Sequence, residues 1–168
     1  MLVYKQEKEE LHNFLNDLKK NYELIAPVKK DLVRFEKIDD VGNIYLKENS
    51  YFPIKQYMFK KEEKMFSFDG LKMEEIRPEN PERIFFGVRK CDLNAIRHQD
   101  IVFINDVKDP YYRDAREKIT LIGYHCNEAP SEYCFCESLE LVDYHDLMFY
   151  EKGDYFLVEV GSEKGKKI

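Results

Sequence analysis

Hydrophobic residues recur at helical spacing near the start of the chain. Leu11, Phe14, Leu15 and Leu18 are three or four positions apart, with charged and polar residues between them. Because side chains at this spacing share one face of a helix, the pattern predicts an amphipathic helix over residues 5–20. We expect its apolar face to pack against the core of the domain.

Short strands are predicted after this helix. Residues 31–36 and 43–47 contain apolar and aromatic residues and lie on either side of the turn-forming residues 39–43. This arrangement predicts two short strands around a turn. Residues 50–55 are expected to be extended or turning, because Pro53 disfavours the helical conformation of the residue before it.

Buried strands and helices are predicted in the second half of the chain. Residues 84–88 form a continuous apolar run of strand length, and residues 120–125 form another. Such runs are typical of strands that are buried on both faces of a sheet. Helices are predicted between them, at residues 92–103 and 111–117. This succession of elements favours an α/β fold.

A β-hairpin is predicted near the carboxyl end, with strands at residues 147–150 and 155–160 around a short turn. The whole pattern predicts an α/β fold with a mixed, partly parallel sheet that is flanked by helices and followed by this C-terminal β-hairpin. Residues 1–160 are therefore expected to form a single domain. Residues 161–168 are polar and contain two glycines, which predicts the start of a linker.

Composition then excludes several classes of protein. The chain has 168 residues, the size of one ordinary domain, and its 12 Phe and 12 Tyr argue against disorder. A net charge of −6 argues against a nucleic-acid-binding protein, which needs a basic face. No apolar run approaches the roughly 20 residues that a membrane helix needs, and the first residues lack a signal-peptide core. We expect a cytoplasmic protein without membrane insertion.

Four cysteines are the main chemical signal, and three of them lie close together in the sequence: Cys91, Cys126, Cys134 and Cys136. In a reducing cytoplasm, clustered thiols indicate metal binding or redox chemistry rather than disulfide bonds. The spacing Cys126-x₇-Cys134-x-Cys136 matches neither the ferredoxin run nor the paired knuckles of a zinc ribbon. It leaves open a [4Fe–4S] cluster, a [2Fe–2S] cluster, a structural Zn²⁺ or four small buried side chains.

The predicted strands place two of these cysteines at one edge of the sheet. Cys91 follows the first buried run and Cys126 follows the second, and ligands of open α/β sheets bind where strands end. Cys91 also lies near a predicted helix N-terminus, which is expected to lower the pKa of its thiol. We expect Arg89 and Lys90 to offset the negative charge of a bound cluster, and Phe135 to keep water away from it.

The sequence predicts no catalytic residues. It lacks the glycine-rich motifs of nucleotide-binding loops, and its acidic residues show no paired pattern. His98 and His125 are interpreted as surface or locally hydrogen-bonded side chains, although His125 directly precedes Cys126 and is an alternative ligand. His12 and His145 are expected to lack an acidic or thiol partner and are given no role.

Four motifs in the right order resemble one family of iron–sulfur electron-transfer subunits. The family includes the beta subunit of soluble sulfhydrogenases and the corresponding subunit of anaerobic sulfite reductase, and the resemblance is to its amino-terminal domain. It covers roughly residues 1–168. The motifs are FGVRKCDL at residues 86–93, DPYY at residues 109–112, Cys126-x₇-Cys134-Phe135-Cys136 and VEVGSEKG at residues 158–165, with a weaker match at Ser50-Tyr51-Phe52-Pro53.

The resemblance implies a non-catalytic electron-transfer module of a multi-subunit anaerobic redox enzyme, of the hydrogenase or sulfite reductase type. It implies an iron–sulfur cluster, [4Fe–4S] as the leading type, on Cys91, Cys126, Cys134 and Cys136. The implied partners are a catalytic subunit and a second subunit that binds flavin and NAD(P). Residues 161–168 are then expected to begin a linker to a ferredoxin-like domain. The alternatives are a structural Cys₄ zinc domain and a metal-free domain for subunit docking.

Overall fold

The chain folds into three helices and nine strands within residues 2–60 and 62–168, the part that the computed structural model describes; Met1 and Lys61 lie outside it. The helices are α1 (Lys8–Leu18), α2 (Lys90–Asp100) and α3 (Pro110–Glu117). The strands are β1 (Leu2–Glu7), β2 (Glu23–Lys29), β3 (Val33–Lys37), β4 (Phe66–Asp69), β5 (Lys72–Glu75), β6 (Arg83–Val88), β7 (Ile119–Tyr124), β8 (Leu147–Lys152) and β9 (Tyr155–Val160).

Seven strands form one mixed sheet in the order β1-β9-β8-β7-β6-β2-β3, while β4 and β5 form a separate hairpin. Strands β2, β6, β7 and β8 are parallel neighbours, whereas β3, β9 and β1 join antiparallel at the two sides. The predicted α/β class, the partly parallel sheet and the hairpin of β8 and β9 are therefore confirmed. Within the described residues, no helix is both long and apolar enough to cross a membrane.

The core lies on both faces of the central strands. On one face, Leu15 and Leu18 of α1 belong to the same buried cluster as Phe86 of β6. On the other face, Leu93 of α2 and Tyr112 of α3 pack in a cluster with Phe85 and other side chains of β6 and β7. Since neighbouring residues of β6 point into different clusters, this strand is apolar at almost every position.

The predicted helix at residues 5–20 begins too early. Residues 5–7 belong to β1, which pairs antiparallel with β9 from Leu2↔Val160 to Glu7↔Tyr155. Helix α1 starts only at Lys8, whose backbone N–H donates to the Asp154 carbonyl at 3.2 Å. Pairing with a distant strand therefore decides the conformation of residues whose local pattern was also compatible with a helix.

The two predicted strands at residues 31–36 and 43–47 have different outcomes. The first corresponds to β3, which pairs with a strand that the pattern did not reveal, β2. The second is wrong, because the chain forms a 3-10 turn at Val41–Asn43 and makes only an isolated bridge at Ile44. The Asp40 carboxylate accepts a hydrogen bond from the Gly42 N–H at 2.9 Å, which stabilises that turn.

The two helices between β6 and β7 lie where the sequence predicts them, but the first ends earlier than predicted. Helix α2 is followed by a π-helical segment at Ile101–Asp106, which accounts for the rest of the predicted helix at residues 92–103. Helix α3 matches its prediction because Asp109 caps it and Pro110 occupies its first turn.

Gly87 gives β6 an irregular end beside the cysteines. Its φ is +83°, the pairing with β7 shifts register there, and a Cβ would lie 2.6 Å from Leu46 Cδ2. We expect Gly87→Ala to lower the free energy of unfolding by about 2 kcal/mol, because the backbone strain and the contact act together. Urea denaturation measures this loss.

Gly70→Ala is the matched control for this prediction. Gly70 also has a positive φ, of +61°, but a Cβ there would meet no atom within 4 Å. Its substitution should cost only the backbone strain, about 1 kcal/mol. Equal losses in the two variants would contradict the role given to the contact with Leu46.

Candidate metal centre

Two of the four cysteines follow the parallel strands β6 and β7 at the same edge of the sheet. Cys91 is the second residue of α2, which begins two residues after β6 ends, and Cys126 lies two residues beyond β7. Because β6 and β7 are parallel neighbours, their carboxyl ends lie side by side. Both side chains are partly buried free thiols.

The other two cysteines lie in the long connection between β7 and β8. Local turns fold this segment: the Cys134 N–H donates to the Ser131 carbonyl at 3.1 Å, and Cys136 begins a 3-10 turn. Asn49, from a distant part of the chain, donates through Nδ2 to Cys134 Sγ at 3.7 Å. Asn49 was missed in the sequence analysis because nothing in its local pattern points to a cysteine 85 positions away.

Burial and neighbouring negative charges raise the pKa of Cys91 to about 12. Burial is the largest cause, followed by the charges of Asp92 and of Cys136, with a smaller contribution from Cys126. A hydrogen bond from the Asp92 backbone acts in the opposite direction. The expectation of a lowered pKa is therefore wrong, because loss of hydration outweighs the helix N-terminus at this position.

The Cys126 thiol is also affected by the two cysteines of the loop between β7 and β8. Burial raises the pKa of its thiol, the Arg89 guanidinium opposes that rise, and the charges of Cys136 and Cys134 add to it. Cys91 is affected by Cys136 and Cys126, and Cys126 by Cys136 and Cys134. The four thiols therefore form one electrostatically coupled set, which we call the cysteine set.

Arg89 lies beneath this set rather than at the surface. Its side chain donates to the Leu46 carbonyl, its guanidinium lies 5.1 Å from the centre of the Tyr124 ring, and the residue is only 7% exposed. A cleft of about 730 Å³ beside Cys126 is lined in part by Arg89 and Tyr124. The expected positive charge near the cysteines is therefore present on the Cys126 side.

The side chains of Lys90 and Phe135 have surroundings that the sequence did not indicate. Lys90 forms an ion pair with Asp143, with Nζ 2.7 Å from Oδ1, and its charge also helps to lower the pKa of His125, beside Cys126. Phe135 is 66% exposed and therefore does not shield its neighbours from water. The turns of this loop direct the Phe135 ring outward although cysteines lie on both sides of it in the sequence.

The histidines take no direct part in the cysteine set. His98 Nδ1 lies 2.7 Å from the Asn94 carbonyl, which is the local hydrogen bond that the sequence analysis favoured. Burial lowers the pKa of His125. His145 is buried, and burial lowers the pKa of its imidazole. Its Nε2 lies 4.0 Å from Glu159 Oε1, and within the described residues neither ring nitrogen has a hydrogen-bond partner.

The donor atoms of the cysteine set suit a soft metal centre. Four free thiols, two at neighbouring strand ends and two in the connection that follows β7, are the ligand type of iron–sulfur clusters and of structural zinc sites. As the side chains stand, no three His, Cys, Asp or Glu residues among residues 2–60 and 62–168 are arranged to hold a metal ion. The fit is therefore one of donor chemistry and electrostatic coupling, and binding would require the sulfurs to move closer together.

A comparison with known proteins found one relative with significant sequence similarity. Sulfhydrogenase 2 subunit beta of Pyrococcus furiosus is 31% identical to the chain over 173 aligned residues. The alignment covers the whole chain and 51% of that protein, so the chain spans about half the length of this relative. No family profile matches the chain. No solved structure matches it.

Proposed function

We propose that the chain is a member of the sulfhydrogenase beta-subunit family and an electron-transfer module that binds an iron–sulfur cluster. The similarity supports the role of a redox-enzyme subunit. The observation that carries the cluster is the placement of two free thiols at the carboxyl ends of the parallel neighbours β6 and β7, ahead of a loop that carries two more. The proposed ligands are Cys91, Cys126, Cys134 and Cys136.

Three of the four proposed ligands have a supporting element or contact. Cys91 and Cys126 are held by the ends of β6 and β7, and a rigid scaffold favours precise ligand placement. Arg89 lowers the cost of negative charge at Cys126, and Asn49 donates to the Cys134 sulfur. An iron–sulfur cluster supplies one-electron transfer, and hydrogen bonds to its sulfurs help to set its reduction potential.

The wider assignment rests on the resemblance and on the relative's name. We propose a [4Fe–4S] type for the cluster and a ferredoxin-like domain joined through residues 161–168. The proposed partners are a catalytic subunit and a second subunit that binds flavin and NAD(P). A reducing cytoplasm as the working compartment is supported by the four free cysteines. The domain itself is proposed to carry electrons rather than to catalyse the terminal reaction.

Anaerobic metal analysis tests the proposal. Chain purified and reconstituted without oxygen is expected to be brown and to hold about four irons and four sulfides, with a paramagnetic signal after reduction. A colourless chain with one tightly bound zinc would overturn the cluster in favour of the structural zinc alternative. A chain that binds neither metal would overturn both and leave a metal-free docking domain.

A further inference from the structure

The loop that carries Cys134 and Cys136 concentrates negative charge. Residues 127–140, which we call the acidic loop, contain four glutamates and no lysine or arginine. For comparison, the net charge of the whole chain is −6. All four glutamates are exposed, and none forms an ion pair within the described part of the chain: Glu128, Glu132, Glu137 and Glu140.

The same loop exposes large apolar side chains. Tyr133 is 80% exposed, Phe135 is 66% exposed and Leu139 is 44% exposed. Backbone turns hold the loop in this shape, including a bond from the Ser138 N–H to the Phe135 carbonyl at 3.0 Å. Aromatic side chains displayed in a group are a common mark of protein–protein contact, where Tyr is among the residues that contribute most to binding.

Nearby cations leave this surface negative. Lys90 is paired with Asp143, and Arg89 is buried against Leu46 and Tyr124. Lys47 is exposed and lines the same cleft as Glu128, where it adds a single positive charge against the four glutamates. The acidic loop therefore presents uncompensated carboxylates around exposed aromatic side chains.

We propose that the acidic loop is the docking surface for a protein partner that carries a basic patch around an apolar pocket. Opposite charges would orient the partner during encounter, and the Tyr133 and Phe135 rings would fill the pocket. Docking there places the partner directly against the cysteine set. The electron-transfer role of this contact rests on the proposed function, while the surface itself rests on charge and exposure.

Binding of cytochrome c, a basic electron-transfer protein, provides the test. Calorimetry of the metal-loaded chain should show binding at low ionic strength that weakens as salt is added. Glu132→Lys/Glu137→Lys should weaken binding by about tenfold or more. Tyr133→Ala/Phe135→Ala should weaken it at every salt concentration and leave the salt dependence unchanged.

Glu62→Lys/Glu74→Lys is the matched control, because it changes the net charge equally at exposed positions outside the acidic loop. This variant should change the dissociation constant by less than about threefold. Equal weakening by both charge variants, or no salt-sensitive binding by the unaltered chain, would overturn the proposal. Iron is measured on the same samples. If the chain holds no iron and still binds cytochrome c through the acidic loop, the proposed cluster is contradicted and the docking surface is supported.

Discussion

Cys91→Ser is expected to abolish iron binding and, with it, the stability that a bound centre adds to the domain. Serine keeps the size of the side chain but replaces the soft sulfur ligand by a hydroxyl oxygen. Cys91 is also the proposed ligand whose position depends most on the core, since it lies in the first turn of α2 between two buried segments. Iron content and the melting temperature of the reconstituted chain measure the effect.

His98→Gln is the control on the same helix. His98 lies two turns further along α2 and makes a local contact with the Asn94 carbonyl, so its replacement should leave the iron content unchanged. Full iron content in Cys91→Ser would contradict its place among the ligands. Loss of iron in both variants would instead show that α2 tolerates no change.

The raised pKa of the Cys91 thiol gives metal binding a defined dependence on pH. A thiol with a pKa of about 12 is protonated at neutral pH, and a metal must displace that proton to bind the sulfur. Burial also raises the pKa of the Cys126 thiol, so this sulfur too would release a proton when it binds a metal. Metal binding by the unaltered chain should therefore release a proton from the Cys91 thiol. The Cys91→Ser variant has no thiol at this position and should not release that proton.

The central strands were predictable because their signal is local. Residues 84–88 and 120–125 are continuous apolar runs, and a strand with both faces in the core must have that composition. The hairpin of β8 and β9 was predictable for the same reason, since two apolar runs flank a short polar turn that contains Gly153.

The outer strands were not predictable because their signal is not local. β1 is mostly exposed and gains its hydrogen bonds from β9, about 150 residues away in sequence. β2 contains Pro27, which weakens a strand pattern, yet it lies between β3 and β6 in the sheet. In both cases tertiary pairing determines the conformation.

The positions of Cys91 and Cys126 at neighbouring strand ends were predictable from the sequence, but the surroundings of the cysteines were not. The strand ends that carry Cys91 and Cys126 followed from the two apolar runs, but burial decides the sign of the pKa shift at Cys91. The contacts of Arg89 with Leu46 and of Asn49 with Cys134 join segments that are far apart in sequence. Such contacts appear only when the chain is folded.

Asp100→Ala is expected to cause the largest loss of stability of any substitution outside the cysteine set. Asp100 accepts hydrogen bonds from Tyr112 at 2.6 Å and from Tyr144, and its Oδ2 lies 2.9 Å from Arg116 Nε. The side chains of Asp100 and Arg116 are only 10% and 15% exposed. Burial acts to lower the pKa of Arg116, but the Asp100 charge and its neighbours hold it raised, so the guanidinium stays charged.

Removing the carboxylate leaves that buried guanidinium without its partner, which should lower the free energy of unfolding by about 3–5 kcal/mol. Asp114→Ala is the control, because Asp114 pairs with Arg77 at 3.0 Å where both side chains are about 40% exposed; its loss should cost less than about 1 kcal/mol. The double variant Asp100→Ala/Arg116→Met should recover part of the loss, since it removes the unpaired charge. Urea denaturation of the four chains measures these differences, and a cost for Asp100→Ala no larger than that for Asp114→Ala would show that the buried pair does not stabilise the packing of α2 against α3.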